Sequence, residues 1–266
     1  MGHDKLRKFA ENRTFSCLLQ PSAEEVLDRD VEAPGLHLKP HPVAGAWNGT
    51  MFDAPRPIVL ELGCGKGDYT IALAERHPEC NYIGVDIKGA RLWTGAKYAT
   101  EHALGNVAFL RTRIEFIGAF FAPGEVSEIW LTFSDPQMHS ENSRLTSPLF
   151  LERYRRLLAP GGRVHLKTDS RFLYEYSLAT ARANGLTILA AETDIYHSEE
   201  KSFPPELLSV QTFYEKMFLG MGLPITYLSF LCDREGPFVH PDFDEAYWRG
   251  AEGPRRTFSH QPPPQK

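Results

Sequence analysis

The sequence predicts an α/β protein with a doubly wound, mostly parallel sheet, and three observations support this prediction. Short apolar runs of strand-forming residues alternate with helical segments from residue 57 onward. The first run, Ile58–Leu62, leads directly into a turn with glycines at alternate positions, and a helical segment follows that turn. The second run ends at Asp86, as expected for the second strand of a nucleotide-binding βαβ unit.

The alternation predicts seven strands in total. They are expected at 58–62, 83–86, 106–111, 128–133, 163–168, 186–191 and 225–231. Helices are expected at 68–76, 88–103, 114–121, 148–158, 172–183 and 209–219. The last two strands are expected to form an antiparallel edge of the sheet, and the helices are expected to cover both faces.

The alternating region divides the chain into three segments. Residues 1–54 are expected to form a partly irregular extension with one short helix at 23–28, and residues 55–232 the α/β domain. Residues 233–266 are polar and rich in proline, which predicts a loosely attached or disordered tail. The first turns of the extension are basic, so this arm either contacts phosphates or is simply solvated. Its cations are Lys5, Arg7, Lys8 and Arg13.

Composition limits the class of protein. A chain of 266 residues, 42% hydrophobic and 24% charged, can bury a sizeable core as a soluble globular protein. No apolar run approaches the roughly 18 residues of a membrane span, so no membrane association is expected. The four cysteines are scattered, which argues against a metal site and for a reducing, cytoplasmic compartment. The net charge of −5 means that any polyanion must bind to a local patch.

The glycine turn points to a particular cofactor. Its pattern is Glu61-x-Gly63-x-Gly65-x-Gly67, which differs from the Gly-x-Gly-x-x-Gly pattern of dinucleotide sites. An acid before the first glycine is unsuited to a phosphate but suits a cation or an amino group. S-adenosylmethionine carries both, together with a ribose whose hydroxyls Asp86 can bind. We therefore expect S-adenosylmethionine as the cofactor. In the alternative interpretation, the glycines serve only the packing of a tight strand–helix turn.

Polar residues follow five of the predicted strands, where an open α/β sheet binds its ligands. These positions are 61–67, Asp86, 111–115, Asp135 with the preceding serine, and Asp169 with the preceding threonine. Their convergence on one edge of the sheet favours an enzyme. Asp135 is followed by a proline that fixes the turn, so we expect its carboxylate to face the cleft rather than to cap the next element.

Several motifs together resemble the bacterial tRNA (guanine-N7-)-methyltransferase family. They are Leu60-Glu-Leu-Gly-Cys-Gly-Lys-Gly67, Ile83-Gly-Val-Asp86, Leu131-Thr-Phe-Ser-Asp-Pro136, Arg144-Leu-Thr146, Pro160-Gly-Gly162, His165-Leu-Lys-Thr-Asp169 and Thr212-Phe-Tyr-Glu215. The first two occur in many class I methyltransferases, which have a Rossmann-like fold, whereas the motifs around 135, 169 and 215 are together specific to this family. The resemblance spans roughly residues 57–231. It implies methyl transfer from S-adenosylmethionine to N7 of guanine in tRNA, at G46 of the variable loop.

Site residues follow from the resemblance position by position. Glu61, Asp86 and the turn glycines match the family's cofactor-binding positions. Asp135 matches its catalytic acid, which also touches the cofactor. Substrate binding is implied for Asp169, Thr212, Phe213, Tyr214 and Glu215.

The chain departs from the family pattern in two places. After the third predicted strand, Arg113 occupies a cofactor-binding position that usually holds an acid or amide, and Glu115 or the backbone of Ile114 can substitute. After Asp135 the family has a tryptophan and a basic run. Here His139 stands at the position of a substrate-binding lysine, and Arg144 is the remaining cation of that cluster. Fewer cations predict fewer phosphate contacts and a shallower salt dependence of binding.

Two alternatives stay open beside a tRNA methyltransferase, which is expected as a monomer or homodimer. The first is a methyltransferase of this fold that acts on a small molecule or a protein, and the shortened basic run supports it. The second is a non-catalytic RNA-binding or partner protein that keeps the cofactor pocket as structure. Five carboxylates on one rim argue against the second alternative. They are Glu61, Asp86, Asp135, Asp169 and Glu215.

Overall fold

The computed structural model describes residues 2–199 and 203–252. Within these residues, eight strands form one sheet in the spatial order β1-β4-β3-β2-β5-β6-β8-β7. The strands are β1 Leu18–Leu19, β2 Ile58–Leu62, β3 Asn81–Asp86, β4 Val107–Arg111, β5 Val126–Thr132, β6 Leu158–Thr168, β7 Ile188–Glu192 and β8 Thr226–Leu231. Seven run in one direction, and β8 runs antiparallel to both neighbours, β6 and β7.

Helices cover both faces of this sheet. They are α1 Gly2–Glu11, α2 Trp47–Thr50, α3 Asp68–Arg76, α4 Gly89–Glu101, α5 Pro148–Leu157, α6 Arg171–Ala183, α7 Glu206–Ser209, α8 Phe213–Gly220 and α9 Glu245–Glu252. Short 3-10 turns lie at Ala23–Glu25, Ile114–Ala119 and Glu141–Ser143. One buried cluster joins the sheet to α5 and α6, and a second joins the opposite face to α3, α4 and α8.

The central strands are buried on both faces because helices pack on each side of them. All five residues of β2 and all six of β3 are buried. Continuous apolar runs, rather than alternating ones, are therefore what this layer requires. The predicted doubly wound, mostly parallel sheet with an antiparallel element at one edge is confirmed. The strand count was one too low, because the two residues of β1 pair with β4 and add a strand at the other edge.

The N-terminal extension is more regular than predicted. Residues 2–11 form helix α1, which the sequence analysis did not identify, and the expected helix at 23–28 is reduced to a 3-10 turn. Helix α1 lies on α4, where the Asn12 side chain donates a hydrogen bond to the Gly89 carbonyl at 2.9 Å. The Trp93 indole of α4 donates a hydrogen bond to Glu11 at 2.7 Å. These contacts attach the basic arm to the α/β domain.

The predicted loose attachment of the C-terminal tail is wrong for residues 233–252. Phe238 is buried in the core, and the amide of Val239 donates a hydrogen bond to Asn184 at 2.8 Å. Helix α9 packs against α6, and its Glu252 is buried. A polar, proline-rich composition therefore does not prevent packing where single aromatic and acidic side chains reach buried partners. Residues 253–266 lie outside the described part of the chain.

The described residues also bear on membranes and metals. None of the helices in 2–199 and 203–252 is long and apolar enough to cross a membrane. Over the same ranges, no group of three or more His, Cys, Asp or Glu side chains is arranged to hold a metal ion.

Candidate active site

The turn after β2 has the backbone geometry that its glycines predict. Gly63, Gly65 and Gly67 adopt φ values of 82°, 60° and 79°, a region that residues with a Cβ rarely occupy. A Cβ at Gly67 would lie 2.6 Å from a ring carbon of Phe109, so this glycine allows close packing of α3 on the sheet. A Cβ at Gly63 or Gly65 would meet nothing within 4 Å. The first two glycines therefore border open space, where a ligand can approach the backbone.

Glu61 lies at the buried base of this turn. Its Oε2 accepts a hydrogen bond from the Thr70 amide at 2.9 Å and a second one from the Thr70 hydroxyl, while Oε1 accepts one from Thr132 at 2.5 Å. The carboxyl thus connects β2 with α3 and β5. Burial raises its pKa to about 7, because the hydrogen bonds only partly offset the loss of solvation. A positive charge bound beside Glu61 would favour the ionised carboxylate.

Asp86 is held in place at the end of β3. Its Oδ2 accepts a hydrogen bond from the Gly65 amide at 3.0 Å, and its Oδ1 accepts one from the Lys88 amide at 2.7 Å. Each oxygen keeps further acceptor capacity, because a carboxylate oxygen has two lone pairs. The carboxylate is therefore oriented beside the glycine turn and suits a pair of ribose hydroxyls.

These groups fit S-adenosylmethionine. The open space beside Gly63 and Gly65 allows a close approach to the backbone, and Glu61 offers a carboxylate for an ammonium group. Arg113, the third predicted cofactor position, is exposed, and its guanidinium pairs with Glu115 at 3.1 Å. Its predicted contact with the cofactor stays a prediction.

Asp135 stands in a tight loop directly after β5. Its side chain is exposed, and its Oδ1 accepts a hydrogen bond from the Gln137 amide at 2.9 Å. Phe133 and Gln137, two residues before and after it, adopt φ values of 50° and 47°. Such values are uncommon for residues with a Cβ and often mark functional sites. The loop therefore presents Asp135 at the carboxyl edge of the sheet, with both flanking residues in a strained conformation.

Arg144 does not belong to an exposed basic cluster, contrary to the sequence-based interpretation. Its side chain is fully buried, with the guanidinium carbon 4.7 Å from the centre of the Phe172 ring and 4.4 Å from that of Tyr176. It pairs with Glu245 at 2.8 Å and donates a weaker hydrogen bond to the Gln137 carbonyl at 3.4 Å. His139 is exposed in the same loop. The segment after Asp135 therefore presents a histidine, but not Arg144, for contact with a phosphate.

The predicted substrate segment lies at the start of α8. Thr212 caps this helix by accepting a hydrogen bond from the Glu215 amide at 3.2 Å, and this cap leaves Phe213 and Tyr214 exposed. The Phe213 ring lies 6.0 Å from Nζ of Lys66 in the glycine turn. The fold thus brings the predicted substrate segment next to the glycine turn. Asp169, half-buried, follows β6 at the same sheet edge.

Glu215 differs from its neighbours because it is fully buried. Its Oε1 pairs with Nζ of Lys167 at 2.7 Å and accepts a hydrogen bond from the Tyr196 hydroxyl at 2.8 Å. Its Oε2 has no hydrogen-bond partner among the described residues. The predicted contact of Glu215 with guanine stays a prediction, since this carboxylate is fully buried whereas Phe213 and Tyr214 are exposed.

Sequence reasoning missed the role of Lys167. This lysine is fully buried, and its ammonium also donates hydrogen bonds to the carbonyls of Leu207 at 2.5 Å and Val210 at 3.1 Å. Burial lowers its pKa, although pairing with Glu215 opposes that effect. A lysine near the end of a predicted strand was the signal that could have identified it, because buried lysines need partners.

Comparison with known proteins agrees with this arrangement. The family model described as "Putative methyltransferase" matches residues 55–227. A tRNA (guanine-N(7)-)-methyltransferase from Christiangramia forsetii is 48% identical over 229 residues, which cover 85% of this chain and 97% of the relative. A protein of the same name from Bacteroides fragilis is 44% identical over 244 residues, which cover 92% of each chain.

Solved structures resemble the chain in fold. The 16S rRNA methyltransferase KamB superposes with a TM-score of 0.54 at 14% identity, covering 78% of this chain and 98% of KamB. A structure described as an antibiotic-related methyltransferase superposes with a TM-score of 0.50 at 17% identity, covering 68% and 87% of the two chains. At these identities the likeness establishes the Rossmann-like methyltransferase fold alone. The family model and the close relatives go further, and the chain belongs to the tRNA (guanine-N(7)-)-methyltransferase family.

Proposed function

We propose that this protein transfers a methyl group from S-adenosylmethionine to N7 of guanine in tRNA, at G46 of the variable loop. One observation carries the proposal: the fold places Asp135, Asp169 and the Thr212–Glu215 segment on the same sheet edge as Asp86 and the glycine turn. Relatives that are 44–48% identical to this chain over most of its length are named for this reaction.

Residues on the cofactor side would hold S-adenosylmethionine. Asp86, already oriented by two backbone amides, would accept hydrogen bonds from the ribose hydroxyls. Glu61 would face the amino group as a carboxylate, and the backbone at Gly63 and Gly65 leaves room for the ligand. When bound, this cofactor supplies an electrophilic methyl group on a positively charged sulfur.

The reaction makes limited demands on the protein. Guanine N7 carries a lone pair and no proton at neutral pH, so its methylation needs no general base. The site must exclude water and hold N7 in line with the methyl group at a reactive distance. Because the guanine ring becomes positively charged, a nearby carboxylate would stabilise the transition state, and we assign this role to Asp135. Asp135 is equally suited to accept hydrogen bonds from guanine N1–H and the 2-amino group.

The substrate side offers groups that suit an unstacked base. Phe213 and Tyr214 expose aromatic rings at the start of α8, and bases stack on such rings. Asp169 supplies an acceptor, and exposed His139 faces solvent in the loop that follows Asp135. Taking the base out of its stack costs a few kcal/mol, which contacts of this kind offset. Such an enzyme would act where tRNA is found, in the cytoplasm.

A different substrate is the second candidate, and one observation favours it. The burial of Arg144 removes the last cation of the cluster expected to bind tRNA phosphates. A methyltransferase for a small molecule or a protein would have less need of such cations.

The test uses tRNA from a strain that lacks 7-methylguanosine, labelled S-adenosylmethionine and the purified protein. Nucleoside mapping should locate the label as 7-methylguanosine at one position of the variable loop. The same tRNA already methylated at that position is the matched control and should accept no label. Cofactor binding without any label in tRNA would contradict the proposal and favour the second candidate.

A further inference from the structure

Helix α9 lies outside the region matched by the family model, which ends at residue 227. It is nevertheless attached to the active-site edge at both of its ends. Its first residue, Glu245, pairs with the buried Arg144, and its last residue, Glu252, caps helix α6. Neither contact is needed to bury the apolar core, because each joins polar groups. We call α9 with these two carboxylates the C-terminal brace.

The first contact of the C-terminal brace leads to Asp135. Glu245 accepts a hydrogen bond from Nη2 of Arg144 at 2.8 Å, and the Nε of Arg144 reaches the Gln137 carbonyl at 3.4 Å. The Gln137 amide in turn donates to Asp135 at 2.9 Å. Gln137 has a φ of 47°, which only surrounding contacts can maintain. A chain of three contacts thus joins α9 to the carboxylate proposed to face guanine.

The second contact leads to Asp169. Glu252 is 3% exposed, and its Oε2 accepts a hydrogen bond from the Phe172 amide at 2.9 Å. This amide is one of the unpaired donors in the first turn of α6, and Ser170 accepts a neighbouring one from Leu173 at 3.1 Å. Asp169 immediately precedes this capped turn. The position of Glu252 therefore fixes the end of the loop that carries Asp169.

Aromatic packing connects the two contacts of the C-terminal brace. Phe243, just before α9, packs edge-on against Phe172 and Tyr176, with 5.5 Å between ring centres in both pairs. These are the same two rings that enclose the Arg144 guanidinium. One cluster on α6 therefore supports both carboxylate contacts.

We infer that Glu245 and Glu252 are positioning residues, through which the C-terminal brace sets the loops after β5 and β6 for the methyl transfer proposed above. Glu245 acts on Asp135 through Arg144 and Gln137, so it governs the rate of the chemical step. Glu252 acts on Asp169 through the start of α6, so it governs affinity for tRNA. This inference rests on the proposed function, since it assigns Asp135 and Asp169 the roles given there.

The experiment compares Glu245→Gln and Glu252→Gln with Arg249→Gln. Arg249 donates a hydrogen bond to Oε2 of Glu245 at 2.6 Å, whereas Arg144 binds Oε1, so Arg249 is the matched control. We expect Glu245→Gln to lower kcat roughly tenfold with little change in KM for tRNA, because small displacements of a reacting group are costly. We expect Glu252→Gln to raise KM for tRNA several-fold with little change in kcat. Arg249→Gln should match the wild type in both constants, and calorimetry should show the same cofactor affinity in all variants.

A readout independent of activity separates this inference from the proposed function. Hydrogen exchange should show faster opening of residues 134–144 in Glu245→Gln and of 169–173 in Glu252→Gln, with 63–67 unchanged as an internal reference. Unchanged exchange and kinetics in both variants would overturn the inference. So would a variant that loses kcat, cofactor binding and protection from exchange in all three segments alike, because that would indicate general destabilisation. A wild type that binds cofactor but labels no tRNA would instead overturn the proposed function.

A double variant, Arg144→Met with Glu245→Gln, should be no slower than Arg144→Met alone if Glu245 acts through Arg144.

Discussion

On the cofactor side of the site, the functional groups are held mainly by contacts within residues 58–88, although Glu61 also accepts a hydrogen bond from Thr132, 71 residues away. Asp86 takes its hydrogen bonds from amides 21 and 2 residues away, and Glu61 takes two from Thr70, nine residues along the chain. On the substrate side, long-range contacts add to the local ones and hold the elements next to Asp135 and Asp169. Arg144 meets Glu245 across 101 residues, and Phe172 meets Glu252 across 80.

Because of this difference, substitutions in the cofactor half and in the substrate half of the site should have different effects. Two successive strands, with the turn and helix between them, build most of the cofactor half, so most of it comes from one continuous segment. The substrate half is assembled from a loop, a strand, α8 and α9, and it needs the whole domain to be in place. Changes on the cofactor side should therefore weaken one ligand, whereas changes on the substrate side should affect stability, rate and substrate affinity together.

The largest effect should come from Asp135→Ala. We expect roughly a 10³-fold loss of methyl transfer, because the carboxylate that stabilises the developing charge is removed. Cofactor affinity should remain largely intact, which calorimetry and single-turnover kinetics can check together. Glu141→Ala in the same loop, where Glu141 pairs with His240 at 2.9 Å, is the control and should retain activity. Comparable turnover in Asp135→Ala would remove this residue from its assigned role.

Lys167→Met should have the next largest effect, on stability. It leaves the Glu215 carboxylate buried without its cation, which costs about 3–5 kcal/mol of the free energy of unfolding. Urea unfolding of this variant should be compared with that of Lys216→Met, which removes an exposed lysine of α8. The double variant Lys167→Met with Glu215→Leu should recover most of the loss. A single variant as stable as the wild type would show that the ion pair does not hold the substrate segment.

The ionisation of Glu61 should make stability depend on pH. Its pKa rises from 4.5 in the unfolded chain to about 7 in the fold, so folding favours the protonated form. The associated stability is fully present below pH 4.5 and is lost as pH rises through 7. At ~1.4 kcal/mol per pH unit this loss is about 3 kcal/mol. Glu61→Gln does not titrate, so its stability relative to the wild type should increase over this range. A difference that is constant with pH would contradict the raised pKa.

The smallest of these effects should come from Asp86→Ala. The loss of charge-assisted hydrogen bonds to the ribose should weaken cofactor binding roughly 10- to 100-fold, as measured by calorimetry. Asp53→Ala is a suitable control, because Asp53 packs beside Gly105 and pairs with Arg56 at the opposite end of the sheet. Stability should change little in either variant. Unchanged affinity in Asp86→Ala would remove this residue from the cofactor site.

The difference between local and long-range contacts also determines which elements could be predicted from the sequence. The seven long strands and the helix over 68–76 were predictable, because local hydrophobic pattern and turn residues determine them. The eighth strand was not, since two residues carry no periodicity. Helix α1 was not predicted, because it is stabilised mainly by packing against α4, which is distant in sequence. Helix α9 was not predicted either, because its eight residues lie in a tail that is rich in proline.

At the site, the sequence identified which residues to examine but not how each is used. Glu61 and Asp86 are recognisable because the glycine pattern fixes their position. From the family resemblance, Arg144 was predicted to belong to a basic cluster and Glu215 to bind the substrate, yet both are fully buried. Burial of a charged side chain depends on a partner that is distant in sequence, such as Glu245 or Lys167, and no local pattern contains that information.

The position of β8 has a consequence for synthesis of the chain. Among the described residues β8 is the last strand in chain order, yet it lies between β6 and β7 and is hydrogen-bonded to both. While the ribosome is still adding residues 226–231, β6 has an open edge and β7 has no neighbour to pair with. Nascent or truncated chains therefore expose a strand edge that can pair with other chains. The sheet closes only when residues 226–231 have left the ribosome, so a chain interrupted before them should aggregate rather than persist as a partial domain.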